Sequence, residues 1–323
     1  MFKRILSVAA VVGAIITISL PGLAAAAPAG QGLEISPPLI ELKADPGKTV
    51  TTQIKVRNVT QQTLVVRAEF DDFIANDESG APKLLLKEDE KSPYSLKDWL
   101  QTPDQLTLKP AQQQAVTLQI VVPANASPGG HYGVVRFTGT PPEIADTGVS
   151  LSASVGTLLL VNVSGNVKQS AKIAEVYTSQ NKVHGGFFET GPVTVTTRVQ
   201  NTGNVHFKPR GTVQITNTFG KNVYVGQFNP TERNVLPSSI RKFNNEFAKK
   251  NLFGKYKVNV DVVYGTENQI ASSQVTFWVI PYKLIIITLV LIAGIIIVFK
   301  NYNKYIISKS QKKSSNGRGK NKK

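Results

Sequence analysis

Strict two-residue alternation of apolar and polar side chains recurs along the middle of this chain and restricts the fold more than any other feature. Val50, Thr52, Ile54 and Val56 alternate with Thr51, Gln53, Lys55 and Arg57. Leu64, Val66, Ala68 and Phe70 alternate with Val65, Arg67 and Glu69, and Val116, Leu118, Ile120 and Val122 with Thr117 and Gln119. The stretches Val193–Val199 and Tyr256–Val262 repeat the pattern. Successive strand side chains point to opposite faces, so each run predicts a strand with one dry and one wet face, as in antiparallel sheets. Turn chemistry separates the runs at Pro46-Gly47, Ser79-Gly80, Pro128-Gly129-Gly130, Thr202-Gly203 and Phe219-Gly220. The expected fold class is all-β: two tandem immunoglobulin-like β-sandwich domains, preceded by a signal peptide and followed by one transmembrane helix.

Two apolar runs bracket the strands. Ile5–Leu20 follows Lys3 and Arg4 and precedes Pro21-Gly22 and an alanine stretch, the order of a secretory signal with cleavage after Ala25 or Ala26. The alternative is an uncleaved anchor. Leu284–Phe299, extended by Val279, Ile280 and Tyr282, has the length and apolarity of a membrane span, with Trp278 and Tyr282 at the interfacial level. The tail beyond it holds nine basic residues and no acidic one. The positive-inside rule places that tail in the cytoplasm and everything before the span outside the cell. The expected location is the plasma membrane, crossed once.

The net charge of +16 divides unevenly: +2 in the signal, +9 in the tail and +5 between. The basic residues therefore serve topology, and nucleic acid is not an expected partner. The chain has no cysteine, so an exported protein of this kind depends on its hydrophobic cores. About 250 residues outside the membrane suffice for two ordinary domains.

A weak internal repeat supports that count. A strand ends in Val56-Arg57-Asn58 and again in Val199-Gln200-Asn201; Gly130-His131-Tyr132-Gly133-Val134 resembles Gly254-Lys255-Tyr256-Lys257-Val258. Both tyrosines suit a tyrosine corner. The expected division is a signal at residues 1–26, sandwiches at 31–166 and 167–279, a span at 280–300 and a basic tail at 301–323. The first half carries an extra segment, mainly Ile74–Gln101. It has a polar hairpin tip at Asn76–Gly80 and one expected helical turn at Ser95–Trp99.

The residues point to no catalytic chemistry. His131, His184 and His206 are far apart, and no nucleophile elbow, phosphate loop or dinucleotide fingerprint occurs. Asp71, Asp72, Asp77 and Glu78 cluster in sequence, but their spacing matches no calcium loop, and solvated turn carboxylates are the commoner arrangement. No cofactor, metal or small-molecule substrate is expected, and the chain reads as non-enzymatic. Recognition remains. Tyr94 and Trp99 have flat faces suited to sugar rings, and Arg67 and Lys87, with Lys83, suit an anionic polymer. For Trp99 the alternative is a plug at the end of the first core.

The plan resembles the WxL-interacting surface proteins of Gram-positive bacteria, which carry two consecutive domains of unknown function. The similar residues are Ile35-Ser36-Pro37-Pro38, Pro46-Gly47-Lys48-Thr49 leading into Gln53–Asn58, Leu108-Lys109-Pro110 before Val116–Pro123, and Ala126–Gly133. First domains of pilus chaperones share the strand pattern. The resemblance implies peptidoglycan attachment by the first domain and binding of a surface or host protein by the second, whose sequence matches less well. The expected function is a membrane-anchored surface protein that binds cell-wall polymer or another envelope protein. The alternatives are a tethered chaperone-like module that captures client strands at a sheet edge, and a passive spacer.

Overall fold

The computed structural model describes residues 32–87, 90–141 and 153–317. The expected signal peptide and residues 318–323 of the basic tail lie outside them. Ten strands build the first half: β1 (Leu33–Ser36), β2 (Leu39–Ala44), β3 (Thr49–Asn58), β4 (Leu64–Ala75), β5 (Pro82–Leu85), β6 (Leu100–Gln101), β7 (Gln105–Leu108), β8 (Gln113–Val121), β9 (Gly129–Thr140) and β10 (Ala153–Val163). They form a four-stranded sheet, β1-β3-β8-β6, and a six-stranded sheet, β2-β10-β9-β4-β5, with β7 also paired to β4. Among the described strands of this half, β2 and β10 are the one pair that runs parallel.

The alternation does what its period requires. On β3, Ile54 and Val56 are fully buried, while Gln53, Lys55 and Arg57 face water. Ile54 lies opposite Val116 and Val50 opposite Ile120 on β8. Val66, Val135, Phe137, Leu159 and Val161 close the core from the other sheet. Each such side chain contributes roughly 1.5–3 kcal/mol by leaving water.

The second half repeats the plan with β11 (Ala171–Gln180), β12 (Val183–His184), β13 (Phe187–Phe188), β14 (Val193–Asn201), β15 (Arg210–Asn217), β16 (Asn222–Phe228), β17 (Ile240–Phe247), β18 (Gly254–Tyr264) and β19 (Gln269–Val279). Its sheets are β12-β11-β14-β17 and β13-β19-β18-β15-β16. Val195, Val199, Val213, Ile215, Val258, Val260 and Phe277 fill the space between them. The molecule is thus two tandem immunoglobulin-like sandwiches.

The repeated asparagines are equivalent in space as well as in sequence. Asn58 ends β3 fully buried; its amide donates to the carbonyls of Gln62 and Leu108, and its carbonyl accepts the N–H of Thr60. Asn201 ends β14 fully buried; its amide donates to Val205 and Val235, and its carbonyl accepts the N–H of Gly203. In both sandwiches one side chain replaces the strand ladder where the chain turns away.

The repeated tyrosines are not equivalent. The hydroxyl of Tyr256 ties back to the backbone of Phe253, as a tyrosine corner does. The hydroxyl of Tyr132 instead leaves its own sandwich and accepts the N–H of His206. The reason is that β9 is buried on both faces from Gly129 to Val135, because the second sandwich covers its outer side. Phe73, Tyr132 and Leu160 form a small core there with Leu236 of the second half. Gly129, at φ +121°, lies so close to the carbonyl of Asn204 that a Cβ would meet it at 2.5 Å.

After β19 only Ile280 and Pro281 precede α1 (Tyr282–Gly317). Among the described residues it is the one helix long and apolar enough to cross a membrane, over Tyr282–Lys309, and no residue of its most apolar stretch is buried.

Candidate functional site

The extra segment of the first half is folded inward by one buried carboxylate. Asp72 on β4 is fully buried and accepts the backbone N–H groups of Leu96 at 3.0 Å, Lys97 at 3.1 Å and Ser92 at 3.3 Å. This clamps residues 92–97 against the sheet and sets up the single 3₁₀ turn at Lys97–Trp99. The neighbouring carboxylates have separate partners. Asp71 pairs with Arg136 at 2.7 Å, and Asp77 accepts the N–H of Ser79 in its own turn. Glu78, at the hairpin tip, reaches the second sandwich and takes Arg198 and Lys242. Hydrogen bonding to Arg198 holds the Glu78 carboxyl below its ordinary range. Among the described residues no group of three or more His, Asp or Glu side chains is placed to hold a metal ion.

Each recognition candidate has a definite place. Tyr94 is half-buried; its hydroxyl lies 3.3 Å from Ser238 Oγ and its ring stands edge-on to Tyr132. It borders an open polar cleft of about 940 Å³ between the sandwiches, shared with Asn162, Lys168, Asn204 and Gln269. Trp99 is half-buried against the first core, with its indole 4.3 Å from the ring of His131. Arg67 is exposed on β4, beside Gln105 of β7 and Thr138 of β9. Lys87 is exposed after β5 and lies 3.5 Å from Glu90. Among the described residues, no hydrogen bond, ion pair or ring contact joins Tyr94 or Trp99 to Arg67 or Lys87.

A different surface is broad, polar and uncovered: the outer face of β1-β3-β8-β6. Thr51, Gln53, Lys55 and Arg57 of β3 stand in register with Gln119, Thr117, Ala115 and Gln113 of β8. Gln101 of β6 extends the row beyond Gln119, and Ser36 and Glu34 of β1 extend it beyond Lys55 and Arg57. All of these residues are exposed. Same-face neighbours repeat about every 7 Å along a strand and about every 4.8 Å across strands. The result is a grid of amides, hydroxyls and two cations, one of them, Arg57, 3.6 Å from Glu34. This face is the wet member of the same alternation that marks the core. Sequence reasoning passed over it because exposed Gln and Thr on a strand are also ordinary solvation.

Besides the small shared core and the Glu78 ion pairs, further contacts fix the sandwiches to each other. Tyr132 accepts His206 N–H at 2.9 Å, and Gly130 N–H donates to the Asn204 carbonyl at 2.8 Å. Lys242 N–H donates to the Glu78 carbonyl at 2.7 Å. Glu41 takes Lys208 at 2.8 Å and the amide of Asn234 at 2.6 Å. Burial raises the pKa of Glu41, yet these two partners prevail and hold it below its ordinary range. Burial pushes the His206 imidazole down to about 4 and the Tyr132 phenol upward.

Residues 39–139, from β2 through nearly all of β9, match the family model described as WxL Interacting Protein, peptidoglycan binding domain. No curated protein sequence matches the chain. Among solved structures, the class 5 fimbriae chaperone CfaA is 14% identical with a TM-score of 0.38, covering 77% of this chain and 100% of its own. The E. coli chaperone DraB is 14% identical with a TM-score of 0.35, covering 76% and 96%. The Pseudomonas aeruginosa CupB2 chaperone is 10% identical with a TM-score of 0.33, covering 75% and 98%.

Proposed function

We propose that this protein is a non-enzymatic, membrane-anchored surface protein whose first sandwich holds the peptidoglycan of the cell wall. The observation that carries the reading is the peptidoglycan-binding family match over residues 39–139, which includes β3 and β8 of the open grid. Peptidoglycan offers sugar hydroxyls, acetamido groups, peptide amides and carboxylates. Rows of Gln and Thr can hydrogen-bond the first three, and Lys55 and Arg57 can meet the last. The opposite sheet is less available, because its outer side is partly covered by the second sandwich. Arg67 and Lys87 lie on that side and form a secondary candidate; Tyr94 and Trp99 act there through packing. The two sandwiches, at 31–166 and 167–279, stand outside the cell. The helix crosses the plasma membrane and the basic tail lies in the cytoplasm.

The test is retention of the detergent-solubilised full chain on purified wall sacculi. Replacing Gln53, Lys55, Arg57 and Gln119 together by Ala should lower retention at least about tenfold, the equivalent of roughly 1.4 kcal/mol, while leaving the thermal midpoint nearly unchanged. Arg67→Ala with Lys87→Ala should change retention less. Full retention by a folded variant of the grid would move the site to Arg67 and Lys87 or to the inter-sandwich cleft. Absence of retention by the unaltered protein would remove the wall-binding reading.

A further inference from the structure

The end of the second sandwich nearest α1 is unlike the rest of the surface. Three loops converge there, as the strand register shows. Gly254 of β18 lies opposite Val279, the last residue before the helix linker, and Tyr256 lies opposite both Phe277 and Asn217. The turn at 218–221 is therefore at this end, fastened by Thr218 Oγ1 donating to the Lys255 carbonyl. The loop at 248–253 is there too, because Phe247 lies opposite Val193 and Gly191 N–H donates to the Lys250 carbonyl. Phe187 pairs with Trp278 beside them.

These loops present large aromatic side chains to solvent. Phe219 is 91% exposed, Phe187 72% and Phe253 71%; Phe187 also stacks on Trp278. A globular surface has no folding reason to hold three such rings out at one end. Around them stand exposed lysines: Lys221, Lys249, Lys250, Lys255 and Lys283. Of these, Lys283 is ion-paired with Glu189 at 2.8 Å and Lys255 lies over the Trp278 ring.

The linker leaves little room between this end and a bilayer. Two residues, Ile280 and Pro281, span at most about 7 Å. They are further tied down, because Ile280 N–H donates to the Phe188 carbonyl and Trp278 N–H to the Gly186 carbonyl. The headgroup layer is roughly 5–8 Å thick on each side of the hydrocarbon. With α1 embedded, the loops lie at that layer.

We propose that this end is a lipid-docking surface for the leaflet from which α1 enters the membrane. Phe219, Phe253 and the Phe187–Trp278 stack enter the interfacial layer, and the lysines bind anionic phospholipid headgroups. Docking holds the ectodomain at a set tilt, so that the first sandwich and its polar grid are presented outward in a fixed direction. The inference rests on the reading of α1 as a membrane span.

The absence of native cysteine makes the test direct. Single cysteines are placed in the full chain at Phe219, at Phe253, at Glu267 on the opposite end of the same sandwich, and at Leu291 in α1. Each is labelled with an environment-sensitive fluorophore and reconstituted in vesicles of zwitterionic lipid with or without one-third anionic phospholipid. Docking predicts that labels at 219 and 253 are shielded from an aqueous quencher and quenched by nitroxide lipids in anionic vesicles, while the label at 267 stays accessible. Replacing Lys221, Lys249 and Lys250 by Gln should lower the docked-to-free ratio by about fivefold per lysine. Labels at 219 and 253 as accessible as the label at 267 would overturn docking. Equal shielding with and without anionic lipid would overturn the role of the lysines. A water-accessible label at 291 would instead overturn the span itself.

Discussion

Tyr132 of the first sandwich accepts the backbone N–H of His206 of the second at 2.9 Å, and its hydroxyl also lies 3.2 Å from His206 Nδ1. One phenol thus joins two cores, with Phe73, Leu160 and Leu236 packed around it. Tyr132→Phe keeps the ring and removes the acceptor. An unpaired, partly buried N–H costs about 1–3 kcal/mol. The expected result is a lowered denaturant midpoint, together with faster proteolysis between residues 163 and 171. An unchanged midpoint would mean that water replaces the hydroxyl without loss.

The same contact makes stability depend on pH. Burial pushes His206 to about 4, below the ordinary 6.5 of an unfolded chain. Above about pH 6.5 the imidazole is neutral whether folded or not, and its contribution is complete. As pH falls from 6.5 toward 4, the unfolded chain takes up a proton that the folded one refuses, and stability is lost. The full loss is about 3 kcal/mol. Unfolding midpoints between pH 7 and 5, above most of the carboxylate range, should slope downward for the unaltered chain and flatten for His206→Gln. Parallel slopes would assign the pH dependence to other groups.

Trp99 and Tyr94 separate packing from binding. Trp99→Ala removes an indole packed on the first core and on His131, and should cost about 3 kcal/mol, the low end for a buried aromatic because part of the ring meets solvent. Wall retention per folded molecule should not change. A fall in retention with no loss of stability would restore Trp99 as a sugar platform.

Much of the fold was legible because each strand has one wet face. On β3 the polar set Gln53, Lys55 and Arg57 and the buried set Ile54 and Val56 are separated by the two-residue period alone. The Val-x-Asn repeat was legible because Asn58 and Asn201 bond to residues close in sequence as well as to distant strands. Tyr132 was not, because its partner is a backbone N–H 74 residues away, a group that every residue but proline supplies. The inward folding of the extra segment was equally hidden. It depends on Asp72, whose sequence neighbours Asp71, Asp77 and Glu78 look alike yet bond to an arginine, a turn amide and the other sandwich. The polar grid escaped notice for the opposite reason: its residues are those any solvated strand would carry.

The asparagine pair yields matched variants. Asn58→Ala removes the side-chain donor to the buried Leu108 carbonyl and the acceptor of the Thr60 N–H, and Asn201→Ala removes the side-chain donor to the buried Val205 and Val235 carbonyls, so each should cost about 1–3 kcal/mol. Separate probes of the two sandwiches should show which one loosens. Loss confined to the altered sandwich would indicate independent cores. Equal loss in both would mean that the junction couples them into a single cooperative unit.

The junction's electrostatic part can be weighed directly. Glu78 at the tip of the β4–β5 hairpin takes Arg198 and Lys242, and its carbonyl accepts Lys242 N–H. The backbone bond survives substitution of the side chain, so Glu78→Gln tests charge alone. Both Glu78 and Arg198 keep about a quarter of their side-chain surface in water, which weakens the pair by solvent screening. A double-mutant cycle of Glu78→Gln with Arg198→Gln should therefore give a coupling of about 1 kcal/mol or less at low salt. Raising ionic strength to about 1 M shortens the screening length to about 3 Å and should shrink the coupling further. The sign with pH is also set: a carboxyl held below its ordinary range stabilises at neutral pH and loses that contribution as pH falls through its folded value. A coupling of zero at every salt concentration would leave the shared core around Tyr132 and the Glu41–Lys208 bridge to set the angle between the sandwiches.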